Sequence, residues 1–125
     1  MIYFAAVVNG IRYCLNELSH TAYVMSFNNL PDDVTSPGIY LGPRNDESCK
    51  FYSGNIEIPS SIYVNGNYYE VRYVGHGAFY NSEKLLSVSI PSSVTRIGKY
   101  AFYNCKMLSN VSIPIKSKLT KVDDC

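Results

Sequence analysis

Val74-Gly75-His76-Gly77-Ala78-Phe79-Tyr80-Asn81 and Ile97-Gly98-Lys99-Tyr100-Ala101-Phe102-Tyr103-Asn104 are two copies of one stretch, 23 residues apart. The correspondence continues through Leu85 and Leu108 to Ile90-Pro91 and Ile113-Pro114, so that ten of the eighteen positions from 74 to 91 recur 23 residues later. Unrelated loops do not repeat to that degree, and a fixed period of roughly 20–29 residues is that of a solenoid rung. An earlier, partial copy, Ile56-Glu57-Ile58-Pro59-Ser60-Ser61-Ile62, matches Val88-Ser89-Ile90-Pro91-Ser92-Ser93-Val94 at an offset of 32, one period plus nine. The nine additional residues lie between Tyr63 and Val71. There Asn65-Gly66, set between β-rich flanks, marks a two-residue turn, so a hairpin is inserted into the first rung.

Within a rung, Leu85, Val88, Ile90, Val94 and Ile97 have the spacing of two short extended runs joined at a corner by Pro91. Their side chains are expected to face inward, while Ser87, Ser89, Asn110 and Ser112 point outward by strand alternation. Ala78-Phe79 and Ala101-Phe102 supply a small residue for close approach and a large one to fill the interior. Ile58, Ile90 and Ile113, each before a proline, should stack in one inward column. One buried Phe or Leu contributes about 1.5–3 kcal/mol, too little for a lone rung, so the copies must stack to close a core. Ser82 to Leu85 and Asn104 to Met107 read as a short helical turn on the opposite side, capped by Asn81 or Ser82, and a turn of 3₁₀ reads the same.

Toward the N-terminus, Asn9-Gly10 within Val7 to Leu15 marks another hairpin, followed by a third strand from Ala22 to Phe27. Asn28 to Cys49 is a succession of turn and breaker signals and reads as a surface loop. Its Asp32, Asp33, Asp46 and Glu47 lack the spacing of a calcium loop. The expected organisation is a β cap and loop over residues 1–50 and repeats over 51–125. Leu119 and Val122 take the places of Val94 and Ile97 in a last rung that is truncated before its Ala-Phe pair.

The 125 residues, 46% hydrophobic and 17% charged, suit one domain and exclude global disorder. Twelve Tyr, five Phe, eight Gly, six Pro and no Trp favour strands and turns over helices. A net charge of +1 without a basic block argues against nucleic acid as a partner. Phe4 to Val8 is far shorter than the roughly 20 residues of a membrane span, and residues 1–8 do not have the character of a signal peptide.

The string Ile-Pro-Ser-Ser-Val-Thr-Arg-Ile-Gly-Lys-Tyr-Ala-Phe-Tyr-Asn-Cys from Ile90 to Cys105, followed by Leu108, Val111 and Ile113-Pro114, resembles the BspA-like leucine-rich repeat family of bacterial surface proteins. Tyr52-Ser53-Gly54-Asn55-Ile56-Glu57-Ile58-Pro59, with the Val-Asn-Gly insert after it, is similar to the way such proteins enter their first repeat. The resemblance implies a mainly β fold: a short leucine-rich-repeat solenoid, coiling right-handed with parallel strands, behind an N-terminal β-hairpin cap. It also implies an extracellular or cell-surface location and, in some members, adhesion to host matrix proteins or other cells. It carries over no set of binding residues.

No sequence pattern of catalysis accompanies His20 and His76, and Glu57, Glu70 and Glu83 fall at positions expected to be exposed and unpaired with one another. The chain therefore reads as a non-enzyme without cofactor or metal. Cys14, Cys49, Cys105 and Cys125 lack zinc spacing and permit three complete disulfide connectivities, a Cys14–Cys49 bridge within the cap segment among the pairings. Cys105, aligned with Ser82, reads as a small buried thiol. Tyr63, Tyr68 and Tyr73 cluster in and beside the inserted hairpin and are the expected binding residues, because tyrosine offers contact area at low entropic cost. Alternation would also turn some tyrosines of this cluster inward. Ser87 and Asn110 on the polar strand face are the second expected site. The sequon Asn110-Val111-Ser112 falls within a strand. The expected function is non-catalytic recognition or adhesion toward a host or microbial surface protein or glycan. Its rival is a structural cap and spacer from a longer repeat protein. An incomplete last rung also suggests self-association through residues 108–125.

Overall fold

The computed structural model describes residues 3–27 and 51–114, together with the backbone of 121–122. Among the described residues the regular structure is ten strands: β1 (Tyr3–Val8), β2 (Ile11–Asn16), β3 (Thr21–Val24), β4 (Ser53–Glu57), β5 (Ser61–Val64), β6 (Asn67–Val74), β7 (Lys84–Ser89), β8 (Arg96–Ile97), β9 (Asn110–Ser112) and β10 (Lys121–Val122). No helix occurs among the described residues, and the fold is mainly β.

Both Asn-Gly pairs make the expected turns. Asn9 and Gly10 have φ of 50° and 83°, Asn65 and Gly66 of 50° and 85°, the double left-handed conformation that matches the twist of a two-residue hairpin. Val8 therefore faces Ile11 across β1–β2, and Val64 faces Asn67 across β5–β6.

The repeat offsets reappear as strand register. In the sheet β4-β7-β9, all parallel, Glu57 faces Ser89 and Ser89 faces Ser112. Ile58 N–H donates to the Ser89 carbonyl at 3.1 Å, and Ile90 N–H to the Ser112 carbonyl at 2.9 Å. This is the same bond one rung apart, so Ile58, Ile90 and Ile113 follow one another as expected. Ile58 and Ile90 are buried, but Ile113 is 44% exposed. The inward expectation fails there because no described strand follows β9 in its sheet, and part of the burial in a stack comes from the next rung.

The second sheet runs β1-β2-β3-β6-β8-β10, with β5 also on β6. β3 does more than follow the first hairpin: it pairs parallel with β6, bringing Val24 opposite Val74, which in turn faces Ile97. Gly75 N–H donates to the Val24 carbonyl at 2.8 Å and Gly98 N–H to that of Val74 at 2.7 Å. An N-terminal strand thus occupies the place of a rung. Val122 faces Ile97, as the alignment of the last rung requires, while Leu119 lies outside the described residues. The close approach of rungs explains Gly98, where a Cβ would stand 2.6 Å from the His76 backbone nitrogen.

Between the sheets lies one core. Leu15 and Val24 from the N-terminal strands join Val71, Leu85, Val88, Ile90 and Val94 in a single buried cluster. Four aromatic rings run along it: Phe27 to Tyr52 at 5.2 Å, Tyr52 to Phe79 at 4.9 Å and Phe79 to Phe102 at 5.4 Å. Tyr52 ties the halves together, its hydroxyl donating to the Met25 carbonyl at 2.8 Å and accepting from Arg12 N–H at 2.9 Å. A smaller cluster of Cys14, Tyr23 and Met25, with Tyr3 and Tyr73 against it, covers part of the other face. Two-sided covering explains why nearly all of β2 is buried rather than every second residue.

On the side opposite β7 the chain makes successive tight turns closed by three-residue bonds of the 3₁₀ kind rather than an α-helical turn. Tyr80 N–H to Gly77, Ser82 N–H to Phe79 and Leu85 N–H to Ser82 recur 23 residues later as Tyr103 to Tyr100, Cys105 to Phe102 and Leu108 to Cys105. Asn81 and Asn104, both at φ 59°, turn left-handed at equivalent places and prevent helix from propagating. Gly77, Phe79 and Asn81 donate across the rungs to the carbonyls of Lys99, Ala101 and Tyr103 at 2.8–2.9 Å, and the Asn104 amide donates to Asn81 Oδ1 at 2.8 Å.

Candidate functional site

The inserted hairpin presents Tyr63 and Tyr68 directly opposite each other, 58% and 68% exposed, with ring centroids 4.7 Å apart. Alternation turns the neighbouring Tyr69 inward, where it is buried with Phe4 and His20 against its ring. Tyr73 stands apart from the pair: it is half-buried and packs against the Cys14, Tyr23 and Met25 cluster. Of the three tyrosines expected to act together, the structure brings two into contact.

Ser87 and Asn110 lie in the parallel sheet, facing each other across β7 and β9. Asn110 is exposed, and Ser87 donates to Asn55 Oδ1 at 2.6 Å on the other side. Asn55, Ser87 and Asn110 thus form a polar row crossing three strands. The sequon of Asn110 lies in β9.

The carboxylates considered for catalysis are all exposed, and two of them pair with bases: Glu70 with Arg72 at 3.2 Å and Glu83 with Lys106 at 3.3 Å. His76 is half-buried and serves structure, its Nδ1 accepting the Lys99 N–H at 2.7 Å. Among the described residues no three His, Cys, Asp or Glu gather as a metal site. Cys105 is half-buried and its thiol donates to the Phe79 carbonyl at 3.0 Å; burial pushes it from 9.0 up to about 11. Cys14 is buried in β2, while Cys49, one of the partners open to it, Cys125 and the acidic residues of the 28–50 segment lie outside the described residues.

Two features were not anticipated from the sequence. One is a row of tyrosines on the turn side: Tyr80 stacks on Tyr103 at 5.0 Å, and Tyr100 meets Tyr103 edge-on at 5.8 Å, with Tyr100 and Tyr103 exposed. The identical Tyr at 80 and 103 was the available signal. The other is a cleft of about 400 Å³ between the β1–β2 hairpin and the β4–β5 junction. Ile11, Tyr13 and Ile62 form its buried floor, while Asn9, Glu57, Ser61 and Tyr63 stand exposed at its rim. Tyr13 is fully buried and its hydroxyl has no hydrogen-bond partner among the described residues; desolvation raises the pH at which it would ionise. No periodicity in the sequence points to this cleft, because its walls come from segments some fifty residues apart.

Residues 47–125 match the BspA type leucine-rich repeat region. Over 95% of its length the chain superposes on a leucine-rich cell surface protein of Faecalibacterium prausnitzii at a TM-score of 0.64 and 28% identity, spanning 26% of that chain. It is also similar in fold to leucine-rich repeat proteins of Bacteroides ovatus (TM-score 0.64, 22% identity, 95% of this chain and 29% of that one) and Bacteroides capillosus (0.63, 22%, 95% and 87%). No curated protein is significantly similar to the chain.

Proposed function

The chain belongs to the BspA-type leucine-rich repeat family, and on that premise we propose that it is a non-catalytic recognition module, displayed outside the cell, for a protein or glycan of a host or microbial surface. Its architecture in this reading is a short right-handed solenoid behind the β1–β2 cap. The observation that carries the reading is the pair Tyr63 and Tyr68: two large rings held in contact and left exposed on a hairpin that interrupts the repeat. Aromatic side chains on a rigid element give contact area without much loss of rotamer freedom. An extracellular setting accords with the cell-surface description of the F. prausnitzii protein.

Binding to immobilised matrix proteins and to a glycan array tests the proposal. Replacing Tyr63 and Tyr68 together with Ser should weaken retention roughly tenfold or more, as expected of an aromatic anchor, with the far-UV spectrum unchanged. Undiminished retention moves the site to the row of Asn55, Ser87 and Asn110. Absence of retention on every surface favours the spacer reading, for which the rung-to-rung bonds of Gly77, Phe79 and Asn81 supply the stiffness.

A further inference from the structure

We propose that Tyr63 and Tyr68 form an oxidative modification site, their rings coupling through a carbon–carbon bond when a haem peroxidase and hydrogen peroxide act on the chain. Coupling of two tyrosines needs both phenols open to a one-electron oxidant and both rings within reach before either radical is lost. The inserted hairpin meets both conditions. Asn65 and Gly66, at φ of 50° and 85°, close a two-residue turn that fixes the register, so Tyr63 lies directly opposite Tyr68. Opposed residues of a strand pair project from the same face, and these two rings stand side by side with centroids 4.7 Å apart. A bond between ring edges needs little further approach. The rings are tilted by 58° rather than stacked, and they are 58% and 68% exposed, which leaves them room to turn edge to edge. Other tyrosine contacts fit the reaction less well. Tyr80 and Tyr103 lie face to face within 12°, with Tyr80 half-buried, and Tyr100 meets Tyr103 almost perpendicular at the longer distance of 5.8 Å. The step balances as two one-electron oxidations. Hydrogen peroxide takes one electron and one proton from each phenol and is reduced to two waters. The two phenoxyl radicals join at ring carbons beside their hydroxyl groups, and the hydrogen on each joined carbon moves as a proton to the oxygen of its own ring, restoring two phenols. The chain loses two hydrogen atoms and gains one bond.

The intact chain, dilute and free of reductant, is treated with a haem peroxidase and hydrogen peroxide, and any disulfide is reduced afterwards. Dityrosine fluorescence should appear together with a monomer lighter by two hydrogen atoms. Tyr63 and Tyr68 share the tryptic peptide 51–72, so a bond between them closes a loop, and tandem mass spectrometry of that peptide should release no fragments from backbone breaks between the two residues. Tyr63→Phe and Tyr68→Phe, each of which keeps a ring in place and removes one phenol, should both lose the looped peptide, whereas Tyr103→Phe should leave its yield unchanged. A wild-type monomer of unchanged mass, a link mapped to another pair, coupling only between chains, or a looped peptide that survives in Tyr63→Phe overturns the proposal. Surface retention is a separate measurement on the untreated chain: a failed cross-link leaves the recognition reading standing, and failed retention leaves the cross-link.

Discussion

The rungs at 74–91 and 97–114 carry nearly the same residues and make the same turns, yet they are buried differently. Phe79 and Phe102 lie parallel within 3° at 5.4 Å, but Phe79 is fully buried and Phe102 only half. Tyr52 covers the other face of Phe79 at 4.9 Å; Phe102 has no described ring beyond it. Ile90 and Ile113 differ in the same sense, at 1% and 44% exposed. An inward position in a repeat states where a side chain points. How much that position contributes depends on whether a neighbour covers it on both sides.

The largest expected effect follows. Phe79→Ala should destabilise by roughly 3–5 kcal/mol, as a buried Phe truncation does, and Phe102→Ala by about half as much. Denaturant midpoints of the two variants at equal slope measure the difference. Equal losses would mean that the second rung is covered as fully as the first.

A smaller effect separates the rungs at the backbone. Gly77 and Tyr100 occupy equivalent places at φ 63° and 59°, a conformation that costs an L-residue about 1–2 kcal/mol. Gly77→Ala should therefore lose about 1 kcal/mol, and Tyr100→Gly should be neutral or gain up to about 1 kcal/mol, offset in part by the lost contact with Tyr103. Thermal unfolding of both resolves the sign. A destabilised Tyr100→Gly would show that the Tyr100 ring contributes more than its backbone costs.

The smallest contrast is between Ser82 and Cys105. Ser82 Oγ accepts the Tyr52 N–H at 3.3 Å, while Cys105 donates its thiol proton to the Phe79 carbonyl. With the folded thiol raised from 9.0 to about 11, the unfolded chain loses its proton first as pH rises. The contribution of Cys105 is therefore complete below pH 9 and disappears as pH approaches 11. Cys105→Ser should flatten the decline of stability across that window, and iodoacetamide should alkylate native Cys105 slowly at pH 8. Rapid alkylation of the folded chain would remove the buried-thiol reading.

Much of this was legible beforehand. The offsets 23 and 32 became strand registers, both Asn-Gly pairs became turns, and Leu85, Val88, Ile90, Val94 and Ile97 became core. On the turn side a helical turn and one of 3₁₀ read alike, because Ser82 to Leu85 suits both; the left-handed backbone of Asn81 and Asn104 restricts it to single three-residue turns. For the candidate site, the exposure of Tyr63 and Tyr68 and the inward turn of Tyr69 follow from alternation across a hairpin of known turn. The half-burial of Tyr73 does not, since it depends on a second cluster supplied by β2 and β3.

By itself, then, the sequence determined the rung: its period, its corners, its two hairpins and the inward direction of Leu85, Val88, Ile90, Val94 and Ile97. These rest on backbone dihedrals and strand alternation, which act over a few residues. Only the tertiary structure decided that β3 would take the place of a rung, that Tyr52 would bridge Phe27 to Phe79, and that Tyr13 and Glu57 would line one cleft. Those outcomes depend on surfaces meeting across long sequence separations, where packing and coverage decide, and no local pattern encodes them.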